Sequence, residues 1–412
     1  MRKAIESIVF NMGSIESKSI PLEGKTLIVV GDNGSGKTYF LNKLNSLIRG
    51  SLYNTDFRDL ETYENEYESI DSVLKKTPES SIHWKMMKTQ RDEAKKKLDD
   101  YKQFYVELND IEIRRWSAKN NEFLFVFFEA QRSYTVKEDS LLSSVNSLSP
   151  MYKNIVKDTR NLLNEEKHLH QFFERYLISM STYSLILKGL GDKEQYTQVQ
   201  KNIKVIESDL KGLFEFEGLQ LKFNPKELKV ELIAKNGIPM SLSKLSAGYS
   251  SILAIYSELL VHSEMSSKGK SNLEGIVIID EIDAHLHVSL QKKILSFFTK
   301  AFPKIQFIVS THSPFVLQSV SDALIYNIST SEVLEDLSHY TYSSIVKGLL
   351  GESTNSQELD LLSDELITLV KAKNINKRYK DILLEMESGL DNLDNKNKSL
   401  VFTAKNLLLD KD

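Results

Sequence analysis

The run Gly31-Asp32-Asn33-Gly34-Ser35-Gly36-Lys37-Thr38 constrains this chain more than any other stretch of it. It follows a short apolar segment, Lys25 to Val30, and opens a segment from Tyr39 to Ile48 with helical spacing. Gly31 and Gly36 permit sharp turns that aim backbone N–H groups inward, and Gly34 fits the same bend. With Asn33 and Ser35 in the loop, a turn of this kind cradles an anion, and the helix behind it adds its positive end. Lys37 supplies a point charge for β- and γ-phosphates, and the Thr38 hydroxyl a ligand for Mg2+. The expected class is α/β, with ATP and Mg2+ as the bound groups.

A second run, Ile276-Val277-Ile278-Ile279-Asp280-Glu281, completes that reading. Four branched aliphatics read as a buried parallel strand, with Asp280 at its carboxyl end able to hold Mg2+. Glu281, next along, can polarise an attacking water as general base. Leu242 to Ser250 stands at the start of a helix, where Ser246 and the Gly248 N–H offer donors to an anion, although Ser246 also reads as a plain N-cap. His312 follows an apolar strand and precedes Pro314, a place where histidine is structural or, beside a γ-phosphate, a sensor. Gln131 also follows an apolar strand and suits a contact to Mg2+ or water.

In this order (phosphate loop, glutamine after a strand, Leu-Ser-x-Gly, aliphatic-Asp-Glu, strand-Ser-Thr-His) the motifs resemble the ABC-type ATPase domain, in its SMC, RecF and OLD branch. Ile279 to His287 and Ser310 to Leu317 resemble the stand-alone bacterial ATP-binding proteins of that branch, many from antiphage systems such as Septu, PARIS and retrons. The resemblance covers residues 1 to about 330 apart from insertions. It implies an α/β P-loop head with a mixed sheet, acting as a head-to-tail dimer. Ser246, Ala247 and Gly248 of one subunit would contact the ATP held by the other, with Asp283 and His285 lining the interface.

The organisation expected around this framework has six parts. Residues 1–50 carry the phosphate loop, and 51–110 form a short antiparallel helical hairpin of coiled-coil type. Its signal is Leu60, Tyr63, Tyr67, Ile70 and Leu74, then, past a break at Thr77-Pro78, Met87, Ala94, Leu98, Tyr101, Tyr105 and Leu108. Residues 111–137 read as head strands, with Ile111 to Trp116 and Phe123 to Glu129 as the candidates and Gln131 behind them. A second helical insertion takes 138–215, the rest of the head 216–330, and a helical tail 331–412. The hairpin precedes Gln131, where relatives with long coiled coils carry theirs after the glutamine, and it is too short to tether chromosomes.

Other features exclude more than they add. The formal charge of -4 gives no general reason to expect nucleic acid, and Lys95-Lys96-Lys97, Arg114, Arg115 and Lys119 read first as solvated faces. There is no cysteine, hence no disulfide and no thiolate metal site. Met1 to Glu6 is not a signal peptide, no apolar run approaches the roughly 20 residues of a membrane span, and a cytoplasmic location is expected. His168 and His170 stand two apart on a helix, a poor metal pair. In the tail, Leu366, Ile367, Leu369 and Val370 accompany a basic run from Lys371 to Lys380, while Asp391 and Asp394 lack the strand end of a nuclease site. The expectation is an ATPase that associates with itself and regulates a separate effector such as a nuclease, on a phage protein trigger. The alternatives are a RecF- or SMC-like clamp for DNA repair and a scaffold that binds ATP but barely turns it over.

Overall fold

The computed structural model describes residues 4–10, 18–54, 60–120, 122–135, 169–235, 237–266, 269–337, 340–349, 356–390 and 393–409. Residues 136–168 lie outside this set, and with them the first part of the expected 138–215 insertion, through His168. The chain divides into two compact units, Met1–Tyr340 and Thr341–Asp412.

The strands of the first unit are β1 (Ile5–Phe10), β2 (Lys18–Pro21), β3 (Thr26–Val30), β4 (Phe104–Leu108), β5 (Phe123–Phe128), β6 (Gln220–Asn224), β7 (Lys229–Ile233), β8 (Pro239–Ser241), β9 (Glu274–Ile279), β10 (Ile305–Ser310), β11 (Ala323–Asn327) and β12 (Glu332–Glu335). Its helices are α1 (Lys37–Tyr53), α2 (Leu60–Lys76), α3 (Ile82–Lys102), α4 (Ile111–Lys119), α5 (Phe173–Leu190), α6 (Lys193–Phe214), α7 (Ala247–Met265), α8 (Val288–Gln291), α9 (Ile294–Ala301) and α10 (Pro314–Leu317).

The main sheet has six strands in the order β12-β11-β3-β10-β9-β5. All are parallel except β12, which pairs antiparallel with β11 at the edge. Its inner strands are buried on both faces, which is why Leu27 to Val30 and Ile276 to Ile279 are unbroken apolar runs. Alternate residues Leu27, Val29, Ile276, Ile278, Leu324 and Tyr326 share a core with Phe40, Leu41, Leu44 and Ile48 of α1 and with Ile8 and Phe10 of β1. Phe10, Phe40 and Tyr326 meet there at ring distances of 5.2 to 5.9 Å, so α1 is seated before any ligand contributes. Each such buried side chain is worth about 1.5–3 kcal/mol. The antiparallel sheet β2-β1-β4 belongs to the same core, while β6-β7-β8 forms a separate sheet.

Helices α2 and α3 form the expected antiparallel pair: Tyr63 packs on Tyr101 at 5.2 Å, and Lys102 meets Glu64 at 2.8 Å. At 21 residues α3 is about 31 Å long. The helical stepping does not run on through Tyr105 and Leu108, however. Phe104 to Leu108 is strand β4, because its aromatic and branched residues complete a ladder with β1 (Ile8 opposite Val106, Phe10 opposite Phe104).

A second correction concerns Ile111 to Trp116, read above as a strand. It is helix α4, in which Arg114 and Ala118 are buried and Ile111 packs on the core, a three-and-four spacing that the alternation of Ile111 and Ile113 obscured. The helical segment after the Asp280-Glu281 turn is divided at Lys292 and Lys293 into α8 and α9. Beyond residue 331 the chain does not go directly to helix, since β12 comes first.

The second unit holds α11 (Tyr342–Leu349), α12 (Gln357–Lys371), α13 (Lys377–Ser388) and α14 (Asn395–Leu409). The last three pack around Leu366, Tyr379, Ile382, Leu383, Met386 and Val401, with Leu369 and Val370 against that core. The apolar tail residues Leu366, Leu369 and Val370 are thus covered, at least in part, within the unit itself. Among the described residues no helix is long and apolar enough to cross a membrane.

Candidate functional site

Because β11, β3, β10, β9 and β5 are parallel, their carboxyl ends lie along one edge of the sheet, about 4.8 Å from strand to strand. That edge collects the loop after Val30, Asp280-Glu281 after Ile279, Ser310-Thr311-His312, and the segment after Phe128. This is where open parallel sheets bind ligands.

Gly31, Gly34 and Gly36 all have positive φ, at 151°, 78° and 96°. Gly31 has a steric reason besides: a β-carbon there would come 2.7 Å from Ile328 Cγ2 and 2.8 Å from Ser35 Oγ. The Asp32 N–H donates to Ser329 Oγ at 3.0 Å, which ties the loop to the turn after β11. Asp32, Asn33 and Gly34 are exposed, Ser35 and Gly36 half-buried, and Thr38 exposed in the first turn of α1.

Lys37 is only 7% exposed, and its ammonium donates to the Gly31 and Asp32 carbonyls at 2.9 Å each. Burial holds it below the usual lysine range, and Glu281, Asp280, Asp32 and Asp283 draw it back upward. The Ser35 hydroxyl is buried with no hydrogen-bond partner among the described residues. A cation in a cradle of main-chain groups, beside an uncommitted hydroxyl, fits a bound polyphosphate.

Asp280 is 2% exposed, and its Oδ1 accepts from the Ser310 hydroxyl. Glu281 is half-buried with φ of +48°, a left-handed conformation that costs a non-glycine residue about 1 kcal/mol. Asp283 accepts from Thr311 Oγ1, and Thr311 Oγ1 in turn accepts from the Ser313 N–H. His312 is half-buried between them. The buried Asp280 carboxylate and the exposed Thr38 hydroxyl at the start of α1 are hard oxygen donors of the kind Mg2+ prefers. No group of three or more His, Cys, Asp or Glu fit for a metal occurs among the described residues, so any Mg2+ depends on hydroxyl, amide, water or phosphate oxygens as well.

Gln131 is exposed just past β5, but the next residue is not. Arg132 turns inward and donates through Nη1 to the carbonyls of Glu129 (2.8 Å) and Asp280 (2.7 Å), and through Nη2 to that of Glu281 (3.0 Å). Burial pushes its pKa down to about 10, against the pull of Asp280, Asp283 and Glu281. Arg132 is not legible as a site residue in the sequence: one arginine after an apolar strand carries no signal of being folded back onto another strand's end.

Ser246 is the N-cap residue of α7, yet its side chain makes no capping bond, and with Ala247 it is exposed. Gly248 is buried against the turn after β9, where a β-carbon would come 2.5 Å from the His285 carbonyl. His285 itself is exposed with φ of +61°. Asp280, Glu281, Lys37, Ser310 and Arg132 are therefore brought together, while Ser246 and Ala247 face solvent at the start of a helix packed on the 281–286 turn.

Residues 27–318 match a protein-family model described as "AAA domain, putative AbiEii toxin, Type IV TA system". The chain is 24% identical over 408 residues to "Retron Vc95 probable ATPase" of Vibrio cholerae serotype O1 biovar El Tor, covering 85% of this chain and 78% of that protein. It is 22% identical over 359 residues to "Septu protein PtuA" of Bacillus thuringiensis, covering 82% of each. Among solved structures, the SMC head domain from Thermotoga maritima matches 81% of this chain and 98% of its own with 11% identity and a TM-score of 0.35.

Proposed function

The chain belongs to this family of AAA domains and is a P-loop ATPase, and from that premise we propose that it is the regulatory ATPase of an antiphage defence system of retron or Septu kind, controlling a separate effector. The observation that carries the catalytic part is the convergence of Lys37, Asp280, Glu281 and Ser310 at one end of the sheet. The defence role is supported by two relatives, named a retron ATPase and Septu PtuA, that align along most of this chain.

In this reading the backbone of residues 31–36 and the Lys37 ammonium hold the phosphates of ATP. Thr38, Asp280 and Gln131 would hold Mg2+, which when bound draws charge from the phosphates. Glu281 orients and deprotonates the attacking water, and His312 senses the γ-phosphate. Ser246, Ala247 and Gly248 serve the nucleotide of a second copy, head to tail. The exposed Ser246 hydroxyl supports this, since it stands at a helix N-terminus without capping that helix. Two ATP molecules would then hold the dimer closed until hydrolysis releases it, and the effector would respond to that state.

The test is the mass of Glu281→Gln by light scattering with and without ATP and Mg2+. A dimer that needs ATP and is lost in Ser246→Arg is the expected result. A monomer under every condition would overturn head-to-tail closure. For the effector, tagged Glu281→Gln should retain a stoichiometric second protein when recovered from cells carrying its own gene neighbourhood. Recovery with nucleic acid and no protein would move the reading to a DNA clamp, whose duplex affinity should fall steeply with salt.

A further inference from the structure

We propose that Arg132 is a positioning residue for hydrolysis, which fixes the backbone that aims Glu281; this rests on Glu281 being the general base. Two peptide planes flank the Glu281 α-carbon, and between them they present two N–H groups and two carbonyls. The N–H groups go to Ser310: that of Glu281 to its Oγ at 2.7 Å, and that of Ile282 to its carbonyl at 3.0 Å. The carbonyls go to Arg132: that of Asp280 to Nη1 at 2.7 Å, and that of Glu281 to Nη2 at 3.0 Å. Arg132 and Ser310 thus reach all four polar groups, the Glu281 carbonyl accepting as well from the Ala284 N–H at 3.0 Å, and with both planes held the Cα–Cβ direction of Glu281 is set.

The arrangement is costly, which argues against incidental packing. Glu281 is kept at a φ of +48°, where a non-glycine residue persists only if its surroundings over-determine it. The guanidinium is buried far enough to lower its pKa to about 10, and yet it donates to carbonyls of the 280–281 turn rather than pairing with a carboxylate there. A planar fork can span two successive carbonyls; a lysine ammonium, a compact donor on a flexible stem, cannot hold both in one geometry. Tyr134, two residues on, donates its N–H to Ser250 Oγ on α7 at 2.8 Å, so the segment carrying Arg132 is anchored on its far side too. A shift of about 1 Å in a group that must meet water and phosphate together can cost about a hundredfold in rate.

The test uses Arg132→Met and Arg132→Lys in the full-length protein, each alone and combined with Glu281→Gln. Steady-state kcat is read beside the Kd for a fluorescent ATP analogue and the Tm. Glu281→Gln alone tests the underlying reading, and if it hydrolyses ATP at the native rate Glu281 is not the base. Given that it does not, Arg132→Met should lower kcat by about ten- to a hundredfold while Kd stays within about threefold. Combined with Glu281→Gln it should lower residual turnover less than about twofold, because both act through one carboxylate. A native kcat in Arg132→Met, or losses that multiply in the double variant, would overturn the inference. If Arg132→Met does not fold, Arg132→Lys decides: lowered kcat with unchanged Kd supports the role, and native kcat overturns it.

Discussion

Lys37 illustrates how much of this site is arranged before any ligand arrives. Its ammonium is already desolvated and held by the Gly31 and Asp32 carbonyls, so phosphate need only displace weak main-chain acceptors. Lys37→Ala should therefore weaken ATP binding by at least about a hundredfold, some 3 kcal/mol, as titration calorimetry would measure, and leave the Tm near native because a buried charge is removed with the contact. Gly248→Ala makes the opposite expectation. A methyl group there meets the His285 carbonyl at 2.5 Å, so the start of α7 and the turn after β9 must separate. Overpacking of this kind costs about 1–3 kcal/mol, which thermal unfolding should register, and ATP-dependent dimerisation should fall with it. The two substitutions separate binding from assembly.

Glu174 on α5 carries a pH dependence that belongs to a pair of elements rather than to the site. Its side chain is buried and Oε1 accepts from the Val230 N–H of β7 at 3.2 Å. Burial raises its pKa above the ordinary value of 4.5, with the Val230 N–H and Lys229 opposing. Below that value the carboxyl is protonated in folded and unfolded chains alike, and no penalty applies. As pH rises through the raised folded value, the folded chain must ionise a buried group that the unfolded chain ionises in water, and stability is lost. Glu174→Gln keeps the acceptor without the charge. Its Tm advantage over the native protein should grow from pH 4.5 to neutrality, and a constant difference would show that Glu174 is not the group responsible. The α2–α3 pair differs in kind: only Leu74, Ala94 and Leu98 are buried in it, so replacing residues 62–100 by a short flexible linker should leave ATP turnover within about threefold of native. Tyr105 and Leu108 are outside that cut, since as part of β4 they hold β1.

The division at Tyr340 makes an expectation about the whole chain. Residues 341–412 have a core of their own around Leu366, Tyr379 and Met386, closed by the Tyr379 hydroxyl on the Ala404 carbonyl at 2.8 Å and by the Arg378–Glu365 pair. Expressed alone, this segment should unfold cooperatively. Leu366→Ala should destabilise it by about 2–5 kcal/mol, by denaturant titration. The complementary fragment, 1–340, should bind ATP with native affinity, and loss of binding would place part of the nucleotide site outside the head.

The amino-acid order was enough to locate the phosphate loop, the Asp280-Glu281 strand end and the strand before His312, because each rests on local chemistry: glycines where φ turns positive, aliphatic runs where a strand is buried twice over, acids where it stops. It was not enough for Ile111 to Trp116 or for Tyr105 and Leu108, where three alternating or stepping residues satisfy more than one period. There the partner decided, α1 and the core beneath α4 in one case and β1 in the other. Arg132 shows the limit most clearly. Its three carbonyl partners include two that lie 148 and 149 positions away, and they come within reach only because β5 and β9 are adjacent parallel strands ending at the same level. Local sequence specifies which groups can do the chemistry; strand order in the sheet determines which residue holds them in place.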